Sequence, residues 1–159
     1  MGARAESLAK QFETKAAEMT AVIKGLSEVD WKKTTEAEKW PVGVTAHHVA
    51  QGHEGILGIV KTLAAGQSIP NFTMDMLNEM NAKHAKEQAG CTKAETLALH
   101  EKGAAAAAAT VRGLSDAELD KKGTVLTGMP AMTTQQVVES ILINHVNDHM
   151  GSIRKTVGG

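Results

Sequence analysis

His145 and His149 are the residues whose type and spacing could most directly do chemistry. Four residues apart on a helix, two imidazoles sit one turn apart on the same face. The segment from Thr133 to Thr156 reads as one long amphipathic helix. Its apolar line is Val138, Leu142, His145, His149 and Ile153, the spacing of a core-facing stripe. Two polar rings therefore interrupt an apolar seam. Every buried ring nitrogen needs a partner. A metal ion supplies one; hydrogen bonds inside the core or at its rim supply another.

Metal sites in helical bundles are built from facing helices, so a third donor belongs on a second helix. The dense group His47, His48 and His53 qualifies. His48 lies on a line with Val44, Gly52, Gly55 and Ile59, apolar or small residues that face inward. His47 lies with Gln51 and Glu54, a more polar line. His48 is therefore the favoured ligand, with His47 and His53 as surface groups or supports behind the ligands. His84 and His100 read as ordinary surface histidines. Asp148 and Glu54 are the carboxylates nearest in sequence. Asp148 points about 100° away from either neighbouring histidine and reads as a solvated residue, and neither is favoured as a ligand's partner.

The elements that must position these groups are helical almost throughout, and no stretch alternates like a strand. A first helix spans about Arg4 to Lys24, with the stripe Leu8, Phe12, Ala16, Met19, Ile23 and a stop at Gly25. Ser27 and Asp30 predict a short capped turn in the connection 26–40. Trp40-Pro41 opens a second helix that runs to about Ala65. Gly52, Gly55 and Gly58 recur in it, each costing about 1 kcal/mol relative to alanine. Either a neighbouring helix approaches closely there or space is kept open beside His48. A loop with Pro70 leads to a shorter helix, Thr73 to Glu87, lying across the bundle. Thr92 and Glu95 form a capping box for the third long helix. That helix passes through six consecutive alanines, Ala104 to Ala109, and ends near Gly113. Ser115 to Glu118 caps a turn, and residues 121–132 form a loop before the last helix. The expected fold is all-α: a single domain over residues 1–159, a four-helix bundle with a long crossover carrying a short extra helix between the second and third long helices.

Composition bounds the function. Seventeen basic and eighteen acidic residues give a formal charge of -1, which offers no footprint for nucleic acid and no basic patch for an anionic membrane. No apolar run approaches the ~20 residues of a membrane span. The N-terminal residues lack the apolar core of a signal peptide, and Glu6 stands where a myristoylation motif wants Ser or Thr. The single cysteine, Cys91, excludes an intramolecular disulfide and fits a reducing cytoplasm. It follows Gly90 in a loop without a neighbouring histidine, which makes a nucleophilic role the less favoured one.

Trp40, Val42 and His48-Val49-Ala50, together with His145-x-x-x-His149-x-Gly151-x-Ile153, resemble the second-helix and last-helix signatures of the DinB-like superfamily. The resemblance covers essentially the whole chain. It implies a four-helix bundle in which three histidines, here His48, His145 and His149, hold a divalent metal. Three neutral imidazoles leave zinc an open fourth position; nickel, copper or iron also suit nitrogen ligands. The resemblance further implies a homodimer and, in some members, transfer or isomerisation reactions that use a low-molecular-weight thiol with a small-molecule substrate. The alternative is a metal- or small-ligand-binding stress protein without turnover, since no general base stands out beyond the ligands. A third reading is a plain helical interaction protein with structural histidines.

Overall fold

The computed structural model describes residues 2–158. Four long rods form a bundle. They are α1 (Ala3–Gly25), α3 (Val42–Ala64), α5 (Lys93–Arg112) and a C-terminal rod. That last rod joins α7 (Thr134–Val137), a π-helical stretch (Val138–Ile143) and α8 (Asn144–Gly158). Helices α1 and α3 each pack against both α5 and α8, so the order around the bundle is α1, α5, α3, α8. The connections carry the short helices α2 (Glu28–Lys32), α4 (Met74–Glu87) and α6 (Asp116–Asp120). Among the described residues, no helix is long and apolar enough to cross a membrane.

Local chemistry sets the boundaries. Ser27, Thr92, Ser115 and Thr133 each accept a hydrogen bond from the backbone N–H three residues on, and the residue there returns one, completing four capping boxes. The predicted stripe of α1 is buried in full, from Leu8 through Ile23. The alanine run is helical, and Ala107 and Ala108 are buried where α5 meets its neighbours. Small side chains there let α5 approach both α1 and α3.

Two expectations are corrected. Residues 121–132 are not wholly loop: β1 (Lys122–Gly123) pairs antiparallel with β2 (Met132–Thr133). The backbone also ties this segment to the loop after α3, through Ile69 N–H to the Thr124 carbonyl and Thr127 N–H to the Phe72 carbonyl. These bonds hold Ile69, Phe72, Val125 and Leu126 together. The last rod also differs in phase from its predicted stripe. A π turn widens the helix, and the buried line runs Val138, Leu142, Val146, Met150, Ile153. His145 and His149 are each one position off that line and half-buried.

The glycines at the two helix ends differ in a way that can be tested. Gly25 ends α1 in ordinary helical conformation with nothing within 4 Å of an added Cβ, whereas Gly66 after α3 has φ +80°. Gly25→Ala should raise stability by up to about 1 kcal/mol. Gly66→Ala should lower it by about 1–2 kcal/mol, because an L side chain is strained in the left-handed region. Thermal unfolding followed by circular dichroism reads both; equal shifts of the same sign would contradict this account.

Candidate metal centre

His48 projects from α3, and His145 and His149 project from α8 one turn apart. One ring nitrogen from each lies within 4.8 Å of the others. The three ring centroids are 4.7, 4.9 and 4.6 Å apart. Among the described residues, no other three His, Cys, Asp or Glu side chains converge in this way. His48 Nε2 and His145 Nε2 face each other at 2.9 Å. Two imidazole nitrogens on one tetrahedral zinc stand about 3.3 Å apart, so the observed spacing is within a few tenths of an ångström of shared coordination.

The charge state suits ligation. Desolvation, reinforced by the neighbouring histidines, pushes His48 and His145 down to about 3. Both are neutral at pH 7, with lone pairs available. His149 Nδ1 donates to Glu38 Oε2 at 2.9 Å, which orients the ring and leaves Nε2 for the group it forms with His48 and His145. Burial alone would raise the pKa of Glu38. Hydrogen bonds from Ser152, His149 and Thr35 outweigh it and hold the carboxyl below its ordinary value. Ser152 Oγ donates to Glu38 Oε1 at 2.6 Å. A histidine backed by a carboxylate is the usual arrangement behind a metal ligand. His145 Nδ1 is buried without a partner. The donor set therefore fits a divalent ion: three imidazoles, one of them already oriented by an ionised carboxylate.

Glu38 was not singled out in the sequence, where the connection before Trp40 offered only its capped turn. Backbone bonds from Thr35 N–H to the Trp40 carbonyl and from Val42 N–H to the Lys33 carbonyl close that segment on itself. Lys39 takes φ 65° at its tip, a strained conformation for a non-glycine residue. The flanking residues both reach the site: Glu38 meets His149, and Trp40 lies edge-on to His48 with centroids 5.1 Å apart. Asp148 and Glu54, both exposed, contact none of the three rings by hydrogen bond.

Gly52 answers one question the sequence left open. A Cβ there would lie 2.7 Å from His145 Cε1, so its missing side chain admits the ring. Gly55 has nothing within 4 Å and opens on a cavity of about 660 Å³ that the three histidines also line. Thus α3 uses one glycine for close approach and another for open space.

The remaining histidines are not surface residues. His84 is half-buried, lines the cavity, and meets His47 Nδ1 through its Nε2 at 2.8 Å. His47 is 7% exposed. His53 and His100 are fully buried and paired, His53 Nε2 to His100 Nδ1 at 2.9 Å. His100 Nε2 faces the Ala16 carbonyl at 2.9 Å. A carbonyl only accepts, so His100 Nε2 carries the proton, its Nδ1 accepts, and His53 Nε2 donates. Helix α3 is covered on several sides, and the polarity of one line of its residues did not reveal this. Cys91 is buried too, its thiol directed at the Gly43 carbonyl at 3.4 Å.

Comparison with known proteins adds the following. The sequence pattern of the DinB superfamily matches residues 11–153. No curated protein is similar enough to match. Among solved structures, YfiT from Bacillus subtilis, described as a probable metal-dependent hydrolase with an unusual four-helix bundle topology, superposes with a TM-score of 0.76 at 14% identity, covering 99% of this chain and 90% of that one. A mycothiol-dependent maleylpyruvate isomerase superposes with a TM-score of 0.74 at 13% identity, over 96% of this chain. This chain spans 63% of that isomerase's length. At such identities the likeness is one of fold.

The buried pair makes a prediction with a definite sign. Burial pushes His53 down to about 3 and His100 below its ordinary value. Below about pH 6.5 the unfolded chain takes up protons that the folded one refuses. Stability should therefore fall as pH drops from about 6.5 toward 3. His100→Leu should cost about 1–3 kcal/mol at pH 7, since it leaves the His53 N–H buried without an acceptor. The double variant His53→Leu, His100→Leu should recover part of that cost and flatten the acid slope. Urea unfolding across this pH range reads all three, and a double variant with an unchanged slope would count against a neutral buried pair.

Proposed function

The chain belongs to the DinB superfamily, and from that premise and the geometry of its three histidines we propose that it is a divalent-metal-dependent enzyme. His48, His145 and His149 are the ligands, through Nε2 of each. Zinc is the metal the donor set suits first, because three neutral nitrogens leave it an open fourth position; nickel or iron are chemically compatible. Such an ion supplies Lewis acidity, lowering the pKa of a water or thiol at its open position. The single observation that carries this reading is the convergence of three imidazole nitrogens within 4.8 Å beside a cavity.

The chain's own groups have distinct tasks. Glu38 holds His149 in the ligating tautomer. Gly52 admits the His145 ring. Trp40 covers one edge of His48 and lines the cavity. Beyond the three ligands, His84 is, among the described residues, the one titratable side chain lining the cavity. Burial lowers its pKa, so it is neutral at pH 7 and able to accept a proton. The co-substrate we favour is a low-molecular-weight thiol, in a transfer or isomerisation reaction. Support comes from the family and from the fold shared with a mycothiol-dependent isomerase. A cytoplasmic location and a homodimer complete the proposal; the lone buried cysteine supports the former, and the family resemblance the latter. The whole of residues 1–159 is taken to act as one domain. A non-catalytic ligand-binding protein is the second reading, favoured by the predominantly apolar lining of the cavity.

Metal analysis decides the first point. Wild-type protein should retain a stoichiometric divalent ion, and His145→Ala and His149→Ala should lose it. Glu38→Ala should bind about 10–100-fold more weakly, the usual effect of removing a carboxylate behind a histidine ligand. Equally low metal in wild type and variants would sink the centre. Metal-loaded protein mixed with low-molecular-weight thiols and electrophiles should then yield conjugates detectable by mass spectrometry. Saturable binding without any conjugate would favour the second reading.

A further inference from the structure

The cavity beside the histidines has a chemical character set by its lining. One face of α4 forms a wall of it: Leu77, Met80, Asn81 and His84, spaced as consecutive turns of one stripe. No residue of α4 is fully buried. This helix therefore turns its amphipathic face toward the cavity instead of into the core. The far wall is the tied pair of loops, with Phe72 and Leu126 among its apolar residues. Asn81, His84 and Gln51 provide the polar points apart from the three histidines and Trp40.

Among the described residues, no Lys, Arg, Asp or Glu lines this space. Glu38 lies behind His149 rather than in the cavity. An anionic group placed among these walls would give up water for no counter-charge, and a cationic one would meet no carboxylate. The volume, about 660 Å³, is within the range of pockets that enclose a whole small molecule. Met80, half its surface exposed at 57%, is a side chain that adapts to varied apolar shapes.

We infer that this cavity binds an uncharged, predominantly apolar small molecule, lying along the inner face of α4 with one end at the three histidines. As the second substrate of the metal centre, this molecule rests on the function proposed above; as a bound ligand, it does not. A small anionic acid would find no counter-charge along the apolar walls away from the histidine end.

Matched ligands separate these cases. Nile red, a neutral dye, should bind the protein as purified and after EDTA treatment with the fluorescence of an apolar site. Decanol should displace it at concentrations about tenfold or more below those of decanoate, at neutral pH and in the EDTA-treated protein, where no metal can hold the carboxylate. Gly55→Leu fills the open space and should abolish dye binding. Gly58→Leu, on the same helix with nothing within 4 Å and outside the cavity, should leave it unchanged. Absence of saturable dye binding, equal displacement by decanoate in metal-free protein, or full binding by Gly55→Leu would each overturn the inference. Metal content measured on the protein as purified keeps the two readings apart: absence of bound metal with intact dye binding defeats only the metal centre, and bound metal without dye binding defeats only the apolar ligand.

Discussion

Three imidazole rings with centroids less than 5 Å apart cannot all be charged, and their lone pairs converge. Everything around the centre serves that arrangement. Burial and mutual repulsion keep His48 and His145 neutral. One N–H can bridge the 2.9 Å between His48 and His145, while His149 directs its Nδ1–H outward to Glu38, so the three rings share this one bond among their facing nitrogens. Polar groups are buried elsewhere in the bundle too, as in the His53–His100 pair, but here three ring nitrogens converge beside a cavity. Natural cores satisfy buried polar groups almost without exception, so a cluster that is left short of partners is where a ligand has the most to contribute.

The bundle separates tight packing from open space. Small residues along α5 bring it against α1 and α3, and the largest apolar side chains of α1 fill the interior between them. On the other side of α3, Gly52 and Gly55 leave room, and the π turn rotates His145 and His149 off the buried line of the last rod toward that room. Had the rod been α-helical throughout, with the predicted stripe facing inward, both rings would have been in the core. A π turn is costly and is commonly found where function requires it.

What was legible in the sequence was periodic or local. The capping boxes at Ser27, Thr92, Ser115 and Thr133 are four-residue signals, and all four open helices. The four long helices follow from apolar spacing. His145 and His149 were visible because helix geometry fixes their relation, and His48 because its own line of α3 is small and apolar. Contacts between elements distant in sequence were not legible. Glu38 reaches His149 across 111 residues, and His53 reaches His100 across 47. Nothing local marks either. His47 looked exposed because Gln51 and Glu54 lie on its line of α3, and His84 and His100 read as ordinary surface histidines. They are covered by packing between helices, which a single-helix pattern does not contain. The short β1–β2 pair was missed because two residues are too few to alternate.

The placement of carboxylates ties these points together. Glu38 is the acid that meets the histidine cluster, with a side chain only 10% exposed, and it does so from outside the cavity. Its hydrogen bonds to Ser152 and His149 keep it ionised. Negative charge is thus spent on orienting a ring, and none faces the space where a second molecule would sit. The elements that supply this arrangement are the connections: the strained turn at Lys39, the helix α4 in the crossover, and the loops joined at Ile69 and Thr127. The four rods supply the ring positions and the connections supply the surroundings. Chains of this fold can therefore share a bundle at 14% identity while differing in what their cavities admit. In this chain the walls are apolar and uncharged, so selectivity would come from shape and desolvation rather than from ion pairing.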